Sequence, residues 1–415
     1  MRKINEIFIL FSLIILGCDK YYYEIEEETL ITQNITFPQE TKIVKCEEGY
    51  ANQFPCMGLD LYSRVSLQDF ESDFANDIWG WTDKINNKEY VIQGLNDGTL
   101  FIDISDPINP ILLGKLLTET SKSTWRDIKV YNDHAFIVSE ANEHGLQIFD
   151  LTRLREVDDF QFFSSDAVLK TFGSAHNIAI NKSSGFAYVI GSNRFSGGPI
   201  FIDINDPKNP IEVGGYSGMG YSHDAQIVNY EGPDKNFLGK EIYIGSNSEG
   251  GSNNRVVIVD VTDKEEPKLI ARKSYSGSRY AHQSWLSEDQ KYLFLGDELD
   301  EYYYGNRSKT YIFDLSELEK PTLHHSYLGT SNAIDHNGYI VGDFFYLANY
   351  TAGLRIMDIS DIENKKIEEI MYFDTYVLND NTTFNGVWSI YPFFQSGIIA
   401  ISDTQEGLFI VKPSL

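Results

Sequence analysis

Short apolar runs alternate with polar turns along most of the chain, and no stretch keeps a helical period. One six-residue pattern recurs, with apolar residues around an aspartate that stands just before a turn. Its copies are LFIDIS (100–105), QIFDLT (147–152), IFIDIN (200–205), VIVDVT (257–262), YIFDLS (311–316) and RIMDIS (355–360), with a degraded copy, LFIVKP, at 408–413. Residues of these types favour β-strands. The pattern therefore predicts an all-β chain made of repeated units.

The spacing of the repeat indicates the fold. Consecutive aspartates lie 44 to 57 residues apart, which leaves room for several strands in each unit. Two apolar runs precede the aspartate run and another follows it, as in NIAIN, FAYVIGS, IFIDIN and IEVGG between 177 and 215. Units of this length with four strands are typical of a β-propeller. We predict a seven-bladed β-propeller.

The seventh unit ends at Pro413 and leaves no room for a fourth strand. A ring with an open strand edge would invite pairing with other chains. The segment MGLDLYSRVSL, at about 57–67, alternates apolar and polar residues and precedes the first unit. We expect it to supply the outer strand of the last blade and so close the ring.

The repeated aspartates have a structural explanation, because an aspartate at the end of a strand can accept hydrogen bonds from the backbone N–H groups of the following turn. We assign this role to Asp103, Asp150, Asp203, Asp260, Asp314 and Asp358.

The N-terminal residues predict export. Residues 1–17 combine a short basic start with an apolar run that is too short to span a bilayer, and ILGC resembles a bacterial lipobox. The resemblance implies cleavage before Cys18 and lipidation of its sulfur; a plain signal peptide with an incidental cysteine is the alternative. We interpret 18–45 as an acidic flexible tether and 46–415 as the propeller. The expected location is the bacterial outer membrane, with exposure at the cell surface.

Charge and cysteine content narrow the functions further. With 61 acidic and 34 basic residues, the net charge is −27, which disfavours nucleic acid as a partner. Such a surface suits solubility and cations, and we expect a monomer. Cys46 and Cys56 flank a short loop containing Gly49 and Pro55, and an exported chain meets oxidising conditions, so we predict a disulfide between them.

Several longer strings resemble the choice-of-anchor B family of extracytoplasmic proteins with LVIVD-type repeats. They include CEEGYANQFPCMGLDLYSRVSL, WRDIKVYNDHAFIVSEANEHGLQIFDLTRL, HNIAINKSSGFAYVIGS and IDHNGYIVGDFFYLANYTAGLRIMDIS, and the likeness extends over about 46–415. The resemblance implies a propeller and an exported location, with a lipobox as this member's anchor. It implies no established activity.

A row of polar residues begins the innermost strands, which line the channel of a propeller. Equivalent positions in a repeat form a ring around the axis, so side chains far apart in sequence should meet in one funnel. The candidate ligand-binding residues are Asn76, Arg126, Asp127, His176, Asn177, His223, Asp224, His282, Gln283, His336, Asn337 and Asn385.

The same row is a candidate metal site, formed by His176, His223, His282 and His336. Long acidic loops should open on the same face, and we expect Asp297, Glu298, Asp300 and Glu301 at its rim. Imidazole and carboxylate together suit a divalent metal ion, which is the one cofactor the sequence suggests. The alternatives are that the histidines only hold neighbouring blades together, or that they bind an anionic or sugar ligand. We treat the other four histidines as surface or loop residues.

The sequence favours binding over catalysis. It contains no GxSxG, HExxH, P-loop or CxxC motif. The preferred function is a binding or scaffold module for a glycan or protein ligand on the top face, with the tyrosines at 302–304 as exposed candidates for recognition. The alternative is a metal-assisted hydrolase or lyase with its active site in the funnel.

Overall fold

A computed structural model describes residues 42–249 and 254–414, so the predicted signal peptide and nearly all of the predicted tether lie outside the described residues. The described chain is an all-β propeller of seven blades, as the repeat predicted. Its first strands are β1 (Tyr50–Ala51), β2 (Phe54–Met57) and β3 (Leu59–Val65).

Each blade has four antiparallel strands that run outward from the channel. Blade 1 contains β4 (Ala75–Asp83), β5 (Lys88–Leu95), β6 (Gly98–Asp103) and β7 (Ile111–Leu117). Blade 2 contains β8 (Arg126–Tyr131), β9 (His134–Ser139), β10 (Leu146–Asp150) and β12 (Ala167–Leu169). The intervening strand β11 (Gln161–Phe163) belongs to another sheet. Blade 3 contains β13 (Asn177–Asn181), β14 (Phe186–Ile190), β15 (Ile200–Asp203) and β16 (Ile211–Gly215).

The remaining blades follow the same order. Blade 4 contains β17 (Ser222–Asn229), β18 (Glu241–Asn247), β19 (Arg255–Asp260) and β20 (Lys268–Ser274). Blade 5 contains β21 (Ala281–Leu286), β22 (Tyr292–Asp297), a short helix α1 (Asp300–Tyr304), β23 (Lys309–Asp314) and β24 (Thr322–Leu328). Blade 6 contains β25 (Gly338–Val341), β26 (Phe344–Ala348), β27 (Leu354–Asp358) and β28 (Glu368–Phe373). Blade 7 contains β29 (Val387–Tyr391), β30 (Ile399–Asp403) and β31 (Gly407–Pro413).

The N-terminal strand closes the ring, as predicted. Strand β3 pairs antiparallel with β31, from Leu59 opposite Pro413 to Val65 opposite Leu408. The buried carboxylate of Asp60 links the segment before β3 to the residue after β31, because it accepts hydrogen bonds from the Cys46 N–H and the Ser414 hydroxyl.

Contacts with the propeller begin slightly before Cys46. Val44 forms a bridge with Leu61, and the Lys45 ammonium lies 2.7 Å from a carboxylate oxygen of Asp60. The last residues of the predicted tether therefore already belong to the closure.

Two sheets are wider than the repeat predicted. The hairpin of β1 and β2 continues blade 6 through pairing of β2 with β28, and β11 joins blade 1 in parallel with β7. Both additions cover the outer edge of a blade, which would otherwise leave backbone groups free to pair with other chains.

Cys46 and Cys56 form the predicted disulfide, with their Cα atoms 6.0 Å apart. It links two points of the segment that leads into β3. Closing a loop of this length is worth about 3 kcal/mol if the effect comes from the unfolded chain.

We therefore expect the variant Cys46→Ser/Cys56→Ser to lose about 2–3 kcal/mol of unfolding free energy. Denaturant unfolding with and without reductant measures this, and the reduced wild type serves as the matched control. A variant as stable as the oxidised wild type would show that the disulfide contributes nothing.

The repeated aspartates have the predicted structural role. Each one accepts a hydrogen bond from the backbone N–H two residues later, at 2.7–3.1 Å, in all six complete copies of the repeat. They fix the turn between the third and fourth strands and take no part in the site described below.

Aromatic side chains fill the channel at one level. Trp79, Trp285 and Tyr339 come from the inner strands of blades 1, 5 and 6, and the Phe393 ring lies within 5.6–6.2 Å of all three. They form one cluster of rings that joins blades 1, 5 and 6 to the segment after β29. None of the helices in the described ranges is long and apolar enough to cross a membrane.

Candidate metal centre at the channel mouth

Four histidines stand side by side at the mouth, on the consecutive blades 3 to 6. The ring centroids are 4.0 Å apart for His176 and His223, 4.3 Å for His223 and His282, and 4.1 Å for His282 and His336. The last three are buried, and the His176 side chain is 12% exposed. The repeat register therefore brings together residues that are 160 positions apart in sequence.

Hydrogen bonds fix the orientation of three of these rings. The Nδ1 atom of His223 lies 3.1 Å from the His282 carbonyl oxygen, and Nδ1 of His336 contacts the Trp388 carbonyl oxygen. Since a carbonyl only accepts, both Nδ1 atoms must donate, and in the neutral ring the lone pair is then on Nε2. His176 places Nδ1 2.6 Å from the Glu140 carboxylate. Metal-binding histidines usually have this kind of partner on their second nitrogen.

The carboxylate of Glu298 faces two of the histidines. Its Oε2 lies 3.8 Å from Nε2 of His282, and its Oε1 lies 3.7 Å from Nε2 of His336. The Tyr350 hydroxyl donates to the same Oε1 at 3.0 Å. At His336 a lone pair and a carboxylate oxygen thus face each other, an arrangement that a cation between them would stabilise.

Among the described residues, His282, Glu298 and His336 are the one group of three metal-type ligands with their donor atoms all within 4.8 Å of one another. Two imidazoles and a carboxylate are a donor set that suits several divalent transition metals. His176 and His223 lie beside this group but outside that distance.

Burial keeps the imidazoles neutral, which is the form that binds metal. It lowers the pKa of His336 to about 3 and holds those of His223 and His282 well below their usual value, helped by the neighbouring histidines. Burial also raises the pKa of Glu298 to about 7, against the opposing effect of the Tyr350 hydroxyl.

The cavity at the mouth is small. Its volume is about 20 Å³, whereas one water molecule needs roughly 10–15 Å³ of such space. It therefore has room for an ion or a water molecule and is too small for a sugar ring. The predicted residues that line it are Arg126, Asp127, His176, Asn177, His223, His282, His336 and Asn337. Asp77, Trp125 and Trp388 complete the lining.

Four other predicted site residues lie outside the lining of this cavity. Asn76 donates to the Thr124 carbonyl oxygen at 2.8 Å, and Asp224 accepts from Asn177 at 3.1 Å. Gln283 accepts from the Gly338 N–H at 3.0 Å, and Asn385 accepts from Gln405 at 2.6 Å. These side chains hold loops and strands together.

In two blades, the residue that follows the first polar residue of the inner strand connects that blade to the next one. Asp77 accepts from the Ile128 N–H at 3.2 Å, and Asp127 accepts from the Ile178 N–H at 2.9 Å. The acceptor is in each case on the inner strand of one blade and the donor on that of the next. Part of the predicted ring therefore has the structural role that we considered as an alternative.

Lys129 is a channel residue that the sequence analysis did not single out. Its ammonium lies 2.9 and 3.0 Å from the two carboxylate oxygens of Asp127, 3.5 Å from Asp77, and 4.6 Å from the centre of the Trp79 ring. Burial raises the pKa of Asp127 well above its usual value and that of Asp224 to about 6. The lysine is thus the counter-ion of a small group of buried acids.

Arg126 and His144 form a second pair that the sequence did not reveal. We expected His144 on the surface or in a loop; it lies in a loop but is fully buried. It accepts from Nη1 of Arg126 at 3.2 Å, while its Nδ1 donates to the Gly145 carbonyl oxygen. Burial, followed by the nearby guanidinium, lowers the pKa of His144 to about 4. The loop between β9 and β10 folds inward at this point, which places the imidazole against Arg126.

The expectation of an acidic rim is wrong for three of its four members. Asp297, Asp300 and Glu301 are fully buried, and each accepts hydrogen bonds from neighbouring groups. Asp297 accepts from Tyr275 and from the backbone N–H groups of 279 and 280, Asp300 from Tyr311, and Glu301 from the backbone N–H of 309. Glu298 is the member that faces the histidines.

The tyrosines at 302–304 are exposed, as predicted, with 47–48% of each residue accessible. They lie on α1, which begins two residues after Glu298. The Arg279 guanidinium lies 4.8 Å and 4.7 Å from the ring centres of Tyr303 and Tyr304. Together these residues form a cationic and aromatic patch on the top face.

Fold and site together define a seven-bladed β-propeller with a small, histidine-lined cavity beside its inner strands. The chain carries LVIVD repeats, since the family model for that repeat matches residues 92–118 and 339–364. These segments contain the aspartate runs of blades 1 and 6. Repeats of this family are typical of β-propeller proteins.

Solved structures of low sequence identity share the fold. The β-propeller domain of Cps50 (Swd1) from Myceliophteria thermophila matches with a TM-score of 0.52 and 12% identity, over 79% of this chain and 94% of that one. A putative 6-phosphogluconolactonase from Bacteroides uniformis matches with a TM-score of 0.50 and 13% identity, over 70% and 82%. No curated protein matches by sequence. At these identities the likeness concerns the fold alone.

Proposed function

We propose that this protein is an exported, lipid-anchored binding module that holds one divalent transition-metal ion at the mouth of its propeller channel. The observation that carries the proposal is the His336 imidazole, which donates from Nδ1 to a backbone carbonyl and directs its Nε2 lone pair toward the Glu298 carboxylate. A metal ion would satisfy both acceptors at once.

The size of the cavity favours a binding role over catalysis within the channel. About 20 Å³ admits an ion and leaves no space for a polymer substrate beside it. A glycan or protein ligand would instead have to bind outside, and the patch of Arg279 and the tyrosines at 302–304 is the surface we propose for it.

The proposal of export and anchoring rests on the sequence. ILGC at 15–18 resembles a lipobox, and the resemblance to choice-of-anchor B proteins supports an extracytoplasmic location. The Cys46–Cys56 disulfide is consistent with an oxidising compartment.

Metal content tests the central part of the proposal. The full-length protein is purified, stripped with chelator, dialysed against Zn²⁺, Ni²⁺, Cu²⁺ or Mn²⁺, and analysed for bound metal. We expect about one ion per chain for at least one of these metals, as a site with three or four protein ligands would hold. The variant His282→Ala/His336→Ala should retain less than about a tenth of it, because only one ligand of the group remains.

The chain offers a matched control. His324 and His325 also lie side by side, but on the outer strand β24, where His324 contacts the Ile362 carbonyl oxygen. The variant His324→Ala/His325→Ala should bind metal as the wild type does. Absence of stoichiometric metal from the wild type, or equal loss in both double variants, would reject the proposal.

A further inference from the structure

The three ligands of the candidate metal group come from two neighbouring blades only. His282, His336 and Glu298 come from blades 5 and 6 and bring their donor atoms within 4.8 Å of one another. Ligands bound to one ion at about 2.1 Å lie roughly 3.4 Å apart in a tetrahedral site. The distances of 3.8 Å from His282 Nε2 to Oε2 and of 3.7 Å from His336 Nε2 to Oε1 are close to this value, so a small inward movement would bring both imidazoles and one or both carboxylate oxygens onto an ion.

His282 and His336 of this group line the cavity, whereas Glu298 is not part of its lining. His223 and His176 continue the row toward blade 3, but their nitrogens fall outside the 4.8 Å group. His223 is anchored by its own hydrogen bond to the His282 carbonyl oxygen, and His176 by its contact with Glu140. Moving either ring onto the ion would break a hydrogen bond that now fixes it.

Tyr350 holds the carboxylate in place. Its hydroxyl donates to Oε1 of Glu298 at 3.0 Å, and its ring packs 4.6 Å from the His336 ring. The residue is 1% exposed and has a backbone φ of +30°, a conformation that costs free energy for any residue other than glycine. Such strain at a buried tyrosine indicates that its position serves the site.

We propose that the ion has three protein ligands, His282, His336 and Glu298, and keeps at least one exchangeable position for a small oxygen- or nitrogen-donor molecule. This inference depends on the proposed metal-binding function and adds an open coordination position to it. Three protein ligands with an open position are typical of reactive metal sites, whereas structural sites are closed. His223 and His176 line the space into which the added molecule would enter.

The geometry also limits the size of that molecule. The cavity volume of about 20 Å³ corresponds to roughly one to two water-sized positions, so beside the ion it has room for one water molecule or for the donor end of a small ligand.

Cobalt and azide test the inference directly. The chelator-stripped full-length protein is loaded with Co²⁺, whose visible spectrum reports coordination, and is then titrated with sodium azide. We expect a saturable spectral change with one azide per Co²⁺ in the wild type. An unchanged spectrum with Co²⁺ bound would overturn the inference while leaving the metal-binding function intact, and no Co²⁺ binding at all would reject both.

Two variants test the named ligands. Glu298→Gln should weaken Co²⁺ binding about tenfold or more, because it removes a charged ligand but preserves the shape of the side chain. Tyr350→Phe should retain Co²⁺ but change the Co²⁺ spectrum, since the carboxylate loses its fixed orientation. Tyr346→Phe is the matched control, because Tyr346 lies in β26, shortly before Tyr350 in the chain but outside the group, and it should leave the spectrum unchanged.

A closed site of four imidazoles would give different results. The Glu298→Gln protein would then bind Co²⁺ as the wild type does, and His176→Ala or His223→Ala would weaken binding instead. If either variant at 298 or 350 proves unfolded by circular dichroism, the azide titration of the wild type still decides between the two arrangements.

Discussion

Replacement of Lys129 by methionine is expected to lower the unfolding free energy by about 3–5 kcal/mol, because it leaves buried carboxylates without their counter-ion. The ammonium contacts both oxygens of Asp127 and lies 3.5 Å from Asp77, and the lysine side chain is only 14% exposed. Methionine keeps the length of the side chain and removes the charge. Denaturant unfolding at neutral pH measures the loss.

The pH dependence of this variant has a definite sign. Burial raises the folded-state pKa of Asp127 above its unfolded value, and loss of the ammonium raises it further. An acid with a raised folded pKa stabilises the fold below its unfolded pKa of about 3.9 and loses that contribution as the pH rises through the folded value. The difference between variant and wild type should therefore be smaller at pH 5 than at pH 8.

A second substitution provides the control. In Lys129→Met/Asp127→Asn the amide can still accept from the Ile178 N–H but no longer needs a counter-ion. It should recover a large part of the lost stability. If the double variant is no more stable than Lys129→Met, the loss comes from packing against Trp79 and the ion pair contributes little.

The repeat was enough to predict the fold and the position of the histidines. The aspartate runs gave the number of blades, and the shared register placed His176, His223, His282 and His336 on one ring. These features follow from repetition itself, because each copy has the same place in its blade. Whether the row binds metal stays a prediction.

Features that depend on how individual loops fold were not accessible from the sequence. Glu298 faces the histidines and Asp297 is turned toward a backbone turn, although the two are adjacent in sequence and chemically similar. His144 is buried because its loop turns inward against Arg126. No local pattern distinguishes these residues from acids and histidines of ordinary surface loops.

Lys129 differs from these cases, because a signal was present in the sequence. It stands two residues after Asp127, as Trp79 follows Asp77 and Tyr339 follows Asn337. The same register contains Trp285 and Trp388 but also Ala179 and Gln226, and Lys129 is its one charged member. The lysine is visible when the blades are aligned at the position three residues after the histidines.

The largest effect is expected from a charge in the strand that closes the ring. Leu61 lies in the middle of β3, is 1% exposed and pairs with Val411 of β31. Leu61→Asp removes a buried apolar side chain and places an unpaired carboxylate in the core, so we expect a loss of about 5 kcal/mol or more. Thermal and denaturant unfolding measure it against Ile211→Asp, which introduces the same charge on the exposed start of β16, in blade 3.

The comparison also decides what the closure contributes. If β3 is an integral part of the ring, its loss exposes the edge of β31, and the whole propeller should unfold in one transition at lower temperature. Limited proteolysis should then cleave the chain in several blades. If cleavage instead stays within residues 42–67 and the remaining blades unfold as in the wild type, the strand is an appendage, and the ring is stable without closure by the N-terminal segment.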